Sequence, residues 1–138
     1  MLATIHSYWA YLVLLLLVFS VFNAILGFTS KRAFTDKDLR IGLFTLIVTH
    51  VQFLIGLVLY FYQGRLATIA DSMKVSEARL IALEHPLTMI IAIVLITIGW
   101  SKHKKKVAST DKFKMFAIFY TLGLLLILSR IPWANWFN

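Results

Sequence analysis

Four apolar blocks, Tyr8–Phe28, Ile41–Tyr62, Leu80–Trp100 and Phe113–Ile131, alternate along the chain with short polar stretches. A helix needs roughly 17–25 residues, at about 1.5 Å each, to cross a hydrocarbon core, and each block fits that length. The pattern predicts four transmembrane helices. Short connectors and alternating direction predict an all-α, up-down four-helix bundle forming one domain over residues 1–138. The first block does not read as a cleaved leader. No Lys or Arg precedes it, its apolar run exceeds the h-region of a signal peptide, and no A-x-A-like site follows it.

Composition agrees with the bilayer as principal solvent. Of 138 residues, 60% are hydrophobic and 14% are charged, against about 25% charged in soluble domains. The mean hydropathy is +0.83, which excludes an ordinary water-soluble globule. Cysteine is absent, so disulfides, thiol catalysis and thiolate metal sites are excluded together.

The net charge of +8 takes its meaning from where the basic residues lie. The first connector carries Lys31, Arg32, Lys37 and Arg40, and the third carries Lys102, Lys104, Lys105, Lys106, Lys112 and Lys114. The second connector has Arg65, Lys74 and Arg79, and the two ends add Arg130. By the positive-inside rule the first and third connectors face the cytoplasm and both termini lie outside, as expected of a multi-pass protein of a bacterial inner membrane. Tyr8, Trp9, Trp133 and Trp136 would then form an outer aromatic belt. The run Lys102-His103-Lys104-Lys105-Lys106 reads as a solvated anchor on anionic lipid headgroups, each Lys contributing about 1 kcal/mol. No nucleic-acid partner is expected.

Thr35-Asp36-Lys37-Asp38 precedes the second block and Thr110-Asp111-Lys112 the fourth. Both offer a Thr or Asp N-cap and acidic charge at the positive end of a helix dipole. The match is a faint internal repeat in which the first hairpin resembles the second.

No Walker loop, dinucleotide glycine fingerprint, H-E-x-x-H, G-x-S-x-G or EF-hand loop is present. Candidate chemistry therefore rests on His6, His50 and His85, which fall in or at the rim of the apolar blocks, where an ionisable side chain is costly and usually faces the bundle interior. His50 lies about 13 Å from the cytoplasmic end of its helix, His85 about 22 Å, and His6 near the outer surface. Two imidazoles from facing helices can clamp a planar haem iron within a bundle. His6 shares its helical face with Ala10, Leu17, Ser20 and Ala24, and His85 with Ala78, Thr88, Met89, Ala92 and Gly99. Such small and flexible residues leave room for a cofactor, though they also let membrane helices pack closely around hydrogen-bonded structural histidines. The strip Gly42, Thr45, Thr49 and Gly56 lies about a quarter turn from His50.

The first and third helices run in the same direction and should occupy diagonal corners, so His6 with His85 is the preferred axial pair and His50 with His85 its competitor. Either pair leaves a height mismatch of about 9 Å, which helix tilt or a kink at Pro86 would absorb. In the repeat, the position matching His50 is Leu125, so a second bis-His haem lacks a ligand. Arg130 is placed either to pair with haem propionates or to snorkel to the interface. Glu84 is a candidate proton carrier or a partner of Arg79. Gln52 is a candidate for an interhelical hydrogen bond or a quinone contact.

His6 within Leu2–Ser7, the stretch Thr49-His50-Val51-Gln52 followed by Gly56-Leu57-Val58-Leu59-Tyr60-Phe61, and Leu83-Glu84-His85-Pro86 leading into Ile96-Thr97-Ile98-Gly99 carry a resemblance. Over nearly its whole length the chain resembles the small four-helix membrane proteins of Bacteroidota-type bacteria labelled cytochrome b-like. More distantly it is similar to one half of a haem A synthase, through Gln52 and Gly56 beside same-direction histidines, at half that family's length. The resemblance implies one b-type haem and a place in electron transfer within or beside the respiratory chain, with His6, His50 and His85 as candidate positions. Two other readings compete. One is a non-enzymatic accessory subunit of a larger membrane complex, and the other a small proton or ion transporter using His50 and Glu84. The transporter lacks a mid-membrane carboxylate and a broken helix pair.

Overall fold

A computed structural model describes residues 1–136. Its four long helices are α1 (Leu2–Thr29), α2 (Asp36–Tyr62), α3 (Ser76–Lys104) and α4 (Ser109–Ser129), all long and apolar enough to cross a membrane. One-turn helices at Ile69–Ser72 and Trp133–Trp136 decorate the α2–α3 connector and the chain end. Among the described residues there is no strand.

The helices overrun the apolar blocks. Residues Leu2–Ser7 extend α1, Asp36–Arg40 begin α2 ahead of its block, and α3 continues through Lys104. Hydropathy marks the part of a helix that suits lipid, whereas backbone hydrogen bonding runs on into polar sequence. The overrun matters for function, because it makes His6 part of a helix.

Each helix packs on its sequence neighbours, and α1 also packs on α4, closing the ring. The pairs α1/α3 and α2/α4 are thus diagonal, as an up-down bundle requires, and the start of α1 and the end of α4 lie at one end. The core is built by Leu17, Val21 and Ala24 of α1, Ile96 of α3, and Phe113, Phe116, Tyr120 and Leu124 of α4. Side chains such as Leu15, Phe22, Phe44, Leu54 and Leu125 point outward, the inversion expected where lipid is the surroundings. Close approach of the α2/α4 diagonal depends on Gly42. A Cβ there would lie 2.6 Å from the Phe116 ring, and the Gly42 carbonyl accepts the Tyr120 hydroxyl at 2.8 Å.

The basic end of the bundle is closed by buried polar and aromatic groups. Asp38 is buried; it accepts from Arg32 at 2.8 Å, from Asn23 at 2.9 Å and from the Thr35 backbone N–H at 2.9 Å. Thr35 is the N-cap of α2, as expected from sequence. The matching expectation for Thr110 fails. Helix α4 starts at Ser109 after Ala108, and the Ser109 hydroxyl accepts the Phe34 backbone N–H at 2.8 Å. The two capping signals, alike in sequence, therefore fold differently, and one connector ties down the other.

His103 also departs from expectation. It is buried, at 1% exposure, rather than solvated with its lysine neighbours. Because α3 runs on to Lys104, the His103 ring is carried inward. It meets Phe116, Trp100 and Phe34 at centroid distances of 4.4, 4.6 and 5.7 Å, and its Nδ1 donates to the Trp100 carbonyl.

At the other end, the Trp136 indole donates to the Ser7 hydroxyl and stacks on Tyr11 at 4.7 Å. Trp9 donates to the Val48 carbonyl at 2.8 Å, so it joins α1 to α2 rather than only lining the expected aromatic belt.

Helices α1 and α2 both end in a left-handed residue. After α2 this is Gly64, φ +67°, with Arg65 N–H bonding the Tyr60 carbonyl and Gly64 N–H that of Phe61. After α1 it is Lys31, φ +55°, with Arg32 N–H on Gly27 and Lys31 N–H on Phe28. Both are Schellman turns, but a side chain in this conformation costs about 1–2 kcal/mol. Lys31→Gly should therefore stabilise the bundle by about 1 kcal/mol, and Gly64→Lys should destabilise it by a similar amount. Thermal unfolding of both variants in one detergent checks the two signs together.

Candidate functional site

The site begins with Pro86. A proline inside a helix has no N–H for the carbonyl one turn back and crowds that carbonyl. Here the chain widens into a π turn over Leu80–Glu84, with His85 N–H reaching back to Leu80. The carbonyl that Pro86 cannot serve belongs to Ala82, and the Tyr60 hydroxyl of α2 donates to it at 2.7 Å. The resulting α2–α3 tie is made next to His85. Single π turns of this kind often occur at functional positions.

His85 Nδ1 lies 2.8 Å from the Arg130 carbonyl at the end of α4. A carbonyl only accepts, so Nδ1 carries the proton, and in the neutral ring Nε2 keeps its lone pair. Across the α1/α3 diagonal stands His6. The two ring centroids are 6.3 Å apart and the planes are nearly perpendicular, at 88°. Helix α2 makes room for this ring at Gly56, where a Cβ would come within 3.0 Å of His6 Cε1. Gln52, one turn earlier on α2, donates its Nε2 to the His6 backbone carbonyl at 2.8 Å. His6 Nδ1 and Gln52 Oε1 are buried without a hydrogen-bond partner.

His50 is engaged elsewhere. Its Nδ1 donates to the Leu46 carbonyl at 2.7 Å, and its Nε2 accepts from the Thr97 hydroxyl at 3.3 Å, whose one proton is shared with the Ile93 carbonyl at 2.7 Å. With one nitrogen on its own helix and the other turned to α3, His50 ties α2 to α3. The structure brings His6 and His85 together and leaves His50 out of that pair.

Around the pair, Glu84 receives Arg79 at 2.9 Å and lies 3.9 Å from Arg130. The Arg79 partnership is one of the two roles read for Glu84. Arg130 contributes first through its backbone, by holding His85. Its guanidinium faces Glu84 and also donates to the Ser129 carbonyl at 2.9 Å. Among the described residues no group of three or more His, Cys, Asp or Glu converges on a common point. The imidazoles that the structure brings together here are those of His6 and His85.

No family model matches the chain, and no curated protein or solved structure matches it either.

Sequence reasoning did not single out Tyr60 or Thr97. A signal for Tyr60 existed, since an intrahelical proline always frees a carbonyl and a tyrosine on a neighbouring helix is a natural donor. Thr97 had no such signal, because its pairing with His50 depends on how α2 and α3 are rotated.

Two substitutions separate the pair from the tie. Gly56→Val should force the His6 ring away from α2, so it should perturb any ligand binding that uses the pair. His50→Ala should cost about 0.6–1.7 kcal/mol, the range of hydrogen bonds between membrane helices, and leave the pair intact. Chemical unfolding in detergent and the histidine ring NMR signals of both variants check this.

Proposed function

We propose that the chain is a single-haem membrane cytochrome, in which His6 and His85 would hold a b-type haem. The His6–His85 pair carries this reading. The two imidazole rings stand 6.3 Å apart between centroids with their planes at 88°, near enough that both could hold one metal ion. The donor set is imidazole alone, which suits haem iron. The anchored Nδ1 of His85 presents its other nitrogen as a ligand in the way second-layer hydrogen bonds usually do at metal centres. The cradle at Gly56 leaves the His6 ring space that a side chain would take.

When bound, the haem would supply one-electron oxidation and reduction. The chain's part is to hold it, fix the ligand tautomers and keep the site dry. The Arg130 carbonyl sets the tautomer of His85. The Arg79–Glu84–Arg130 cluster sits at the rim, where Arg130 is available to haem propionates. In the orientation that the basic connectors favour, the pair lies in the outer half of a bacterial inner membrane. Lys102, Lys104, Lys105 and Lys106 would then meet anionic headgroups on the cytoplasmic side. The redox partner in this reading is a quinone or a respiratory complex.

Protein purified in detergent from haem-replete cells should show a Soret band and sharp α and β bands on dithionite reduction. His6→Ala and His85→Ala should each abolish the six-coordinate spectrum, and His50→Ala should preserve it. A colourless wild-type preparation would sink the proposal and favour an accessory subunit.

A further inference from the structure

The two histidines of the pair are held unequally. On His85, the ring nitrogen used for anchoring is bonded to the Arg130 carbonyl. On His6, the corresponding Nδ1 is buried and unpartnered. A buried polar atom without a partner is unfavourable and rare in native folds, so it calls for a counterpart.

One is at hand. Gln52 Oε1 is also buried and unpartnered, and it belongs to the residue whose Nε2 already grips the His6 carbonyl at 2.8 Å. The ring nitrogen can carry a proton and the amide oxygen can only accept one. Thus two complementary orphan atoms sit on two residues that are already joined. Gln52 and Gly56 lie one helical turn apart on α2, so they share a face: Gly56 gives the His6 ring its space, and Gln52 is placed beside the same residue.

We propose that Gln52 is the positioning residue of His6, taking the Nδ1 proton on Oε1 so that Nε2 presents its lone pair toward His85. Gln52 would thus do for His6 what the Arg130 carbonyl does for His85. The inference rests on the reading of the pair as a haem site. It adds that the electronic character of one axial ligand is set from α2, a helix that contributes no ligand. A neutral amide acceptor draws the ring proton weakly, whereas a carboxylate would draw it strongly and make the imidazole a better electron donor to iron.

The test uses full-length protein in detergent, titrated with haemin and then poised in a potentiometric titration. Wild type should bind haemin as a six-coordinate low-spin complex. Gln52→Leu should weaken haemin binding by about 10- to 100-fold, the usual effect of losing such a support, and should raise the midpoint potential. Gln52→Glu should lower the midpoint potential below that of wild type. A purely structural Gln52 would change folding without this opposed pair of shifts. If Gln52→Leu fails to fold, the direction of the Gln52→Glu shift decides alone. Wild type that takes up no haemin overturns the haem reading and this inference with it. Wild type that binds haemin, with both variants equal to it in affinity and potential, overturns the role of Gln52 and leaves the haem reading standing.

Discussion

In a bundle surrounded by hydrocarbon, every polar group that faces inward must find its partner inside the bundle, because neither lipid nor bulk water can supply one. That requirement organises this molecule. The Tyr60 hydroxyl serves a carbonyl stripped of its donor by Pro86, and Tyr120 serves Gly42 across the α2/α4 diagonal. Trp9 reaches Val48, and Gln52 reaches the backbone of His6. Each of these bonds runs from a side chain on one helix to the backbone of another. They fix relative rotation and height in a way that contacts between Leu, Ile and Phe, which slide over one another easily, do not.

The two ends of the bundle solve the same problem with different materials. The basic end uses charge and aromatic rings. Arg32, Asn23 and Thr35 converge on a buried carboxylate, and Phe34 is drawn down by Ser109 onto Phe113, Phe116 and His103. The end that carries the termini uses histidines, an amide and a carbonyl, and it leaves some of that capacity unspent at His6 and Gln52.

The fold was largely legible in the sequence because lipid imposes a simple code. Apolar length gave the four spans, and connector length gave the ring order and the α1/α3 diagonal. That diagonal favoured His6 with His85 but left His50 with His85 as its competitor, and the structure sets the His6 and His85 rings side by side. Other features were hidden because they depend on rotation or on helix ends, which hydropathy does not encode. His103 lies in a run of lysines, and only the continuation of α3 through Lys104 turns it inward. Thr35 and Thr110 look equivalent in sequence, yet Ser109 is drawn to Phe34 and moves the start of α4. His50 competed with His6 on depth alone, and its rotation toward Thr97 decides where its ring is used.

The π turn before His85 has a further consequence. By carrying one residue more than an α-helical turn, it puts the first turn of α3, Ser76–Arg79, out of phase with His85–Lys104 by about 100°. The loop that precedes the span and the span itself therefore need not share one stripe of apolar positions. The turn works as a phase adapter: the first turn of α3 and the rest of the span face different directions, while the azimuth of His85 within the bundle is set by Pro86 and by the Tyr60 bond to Ala82.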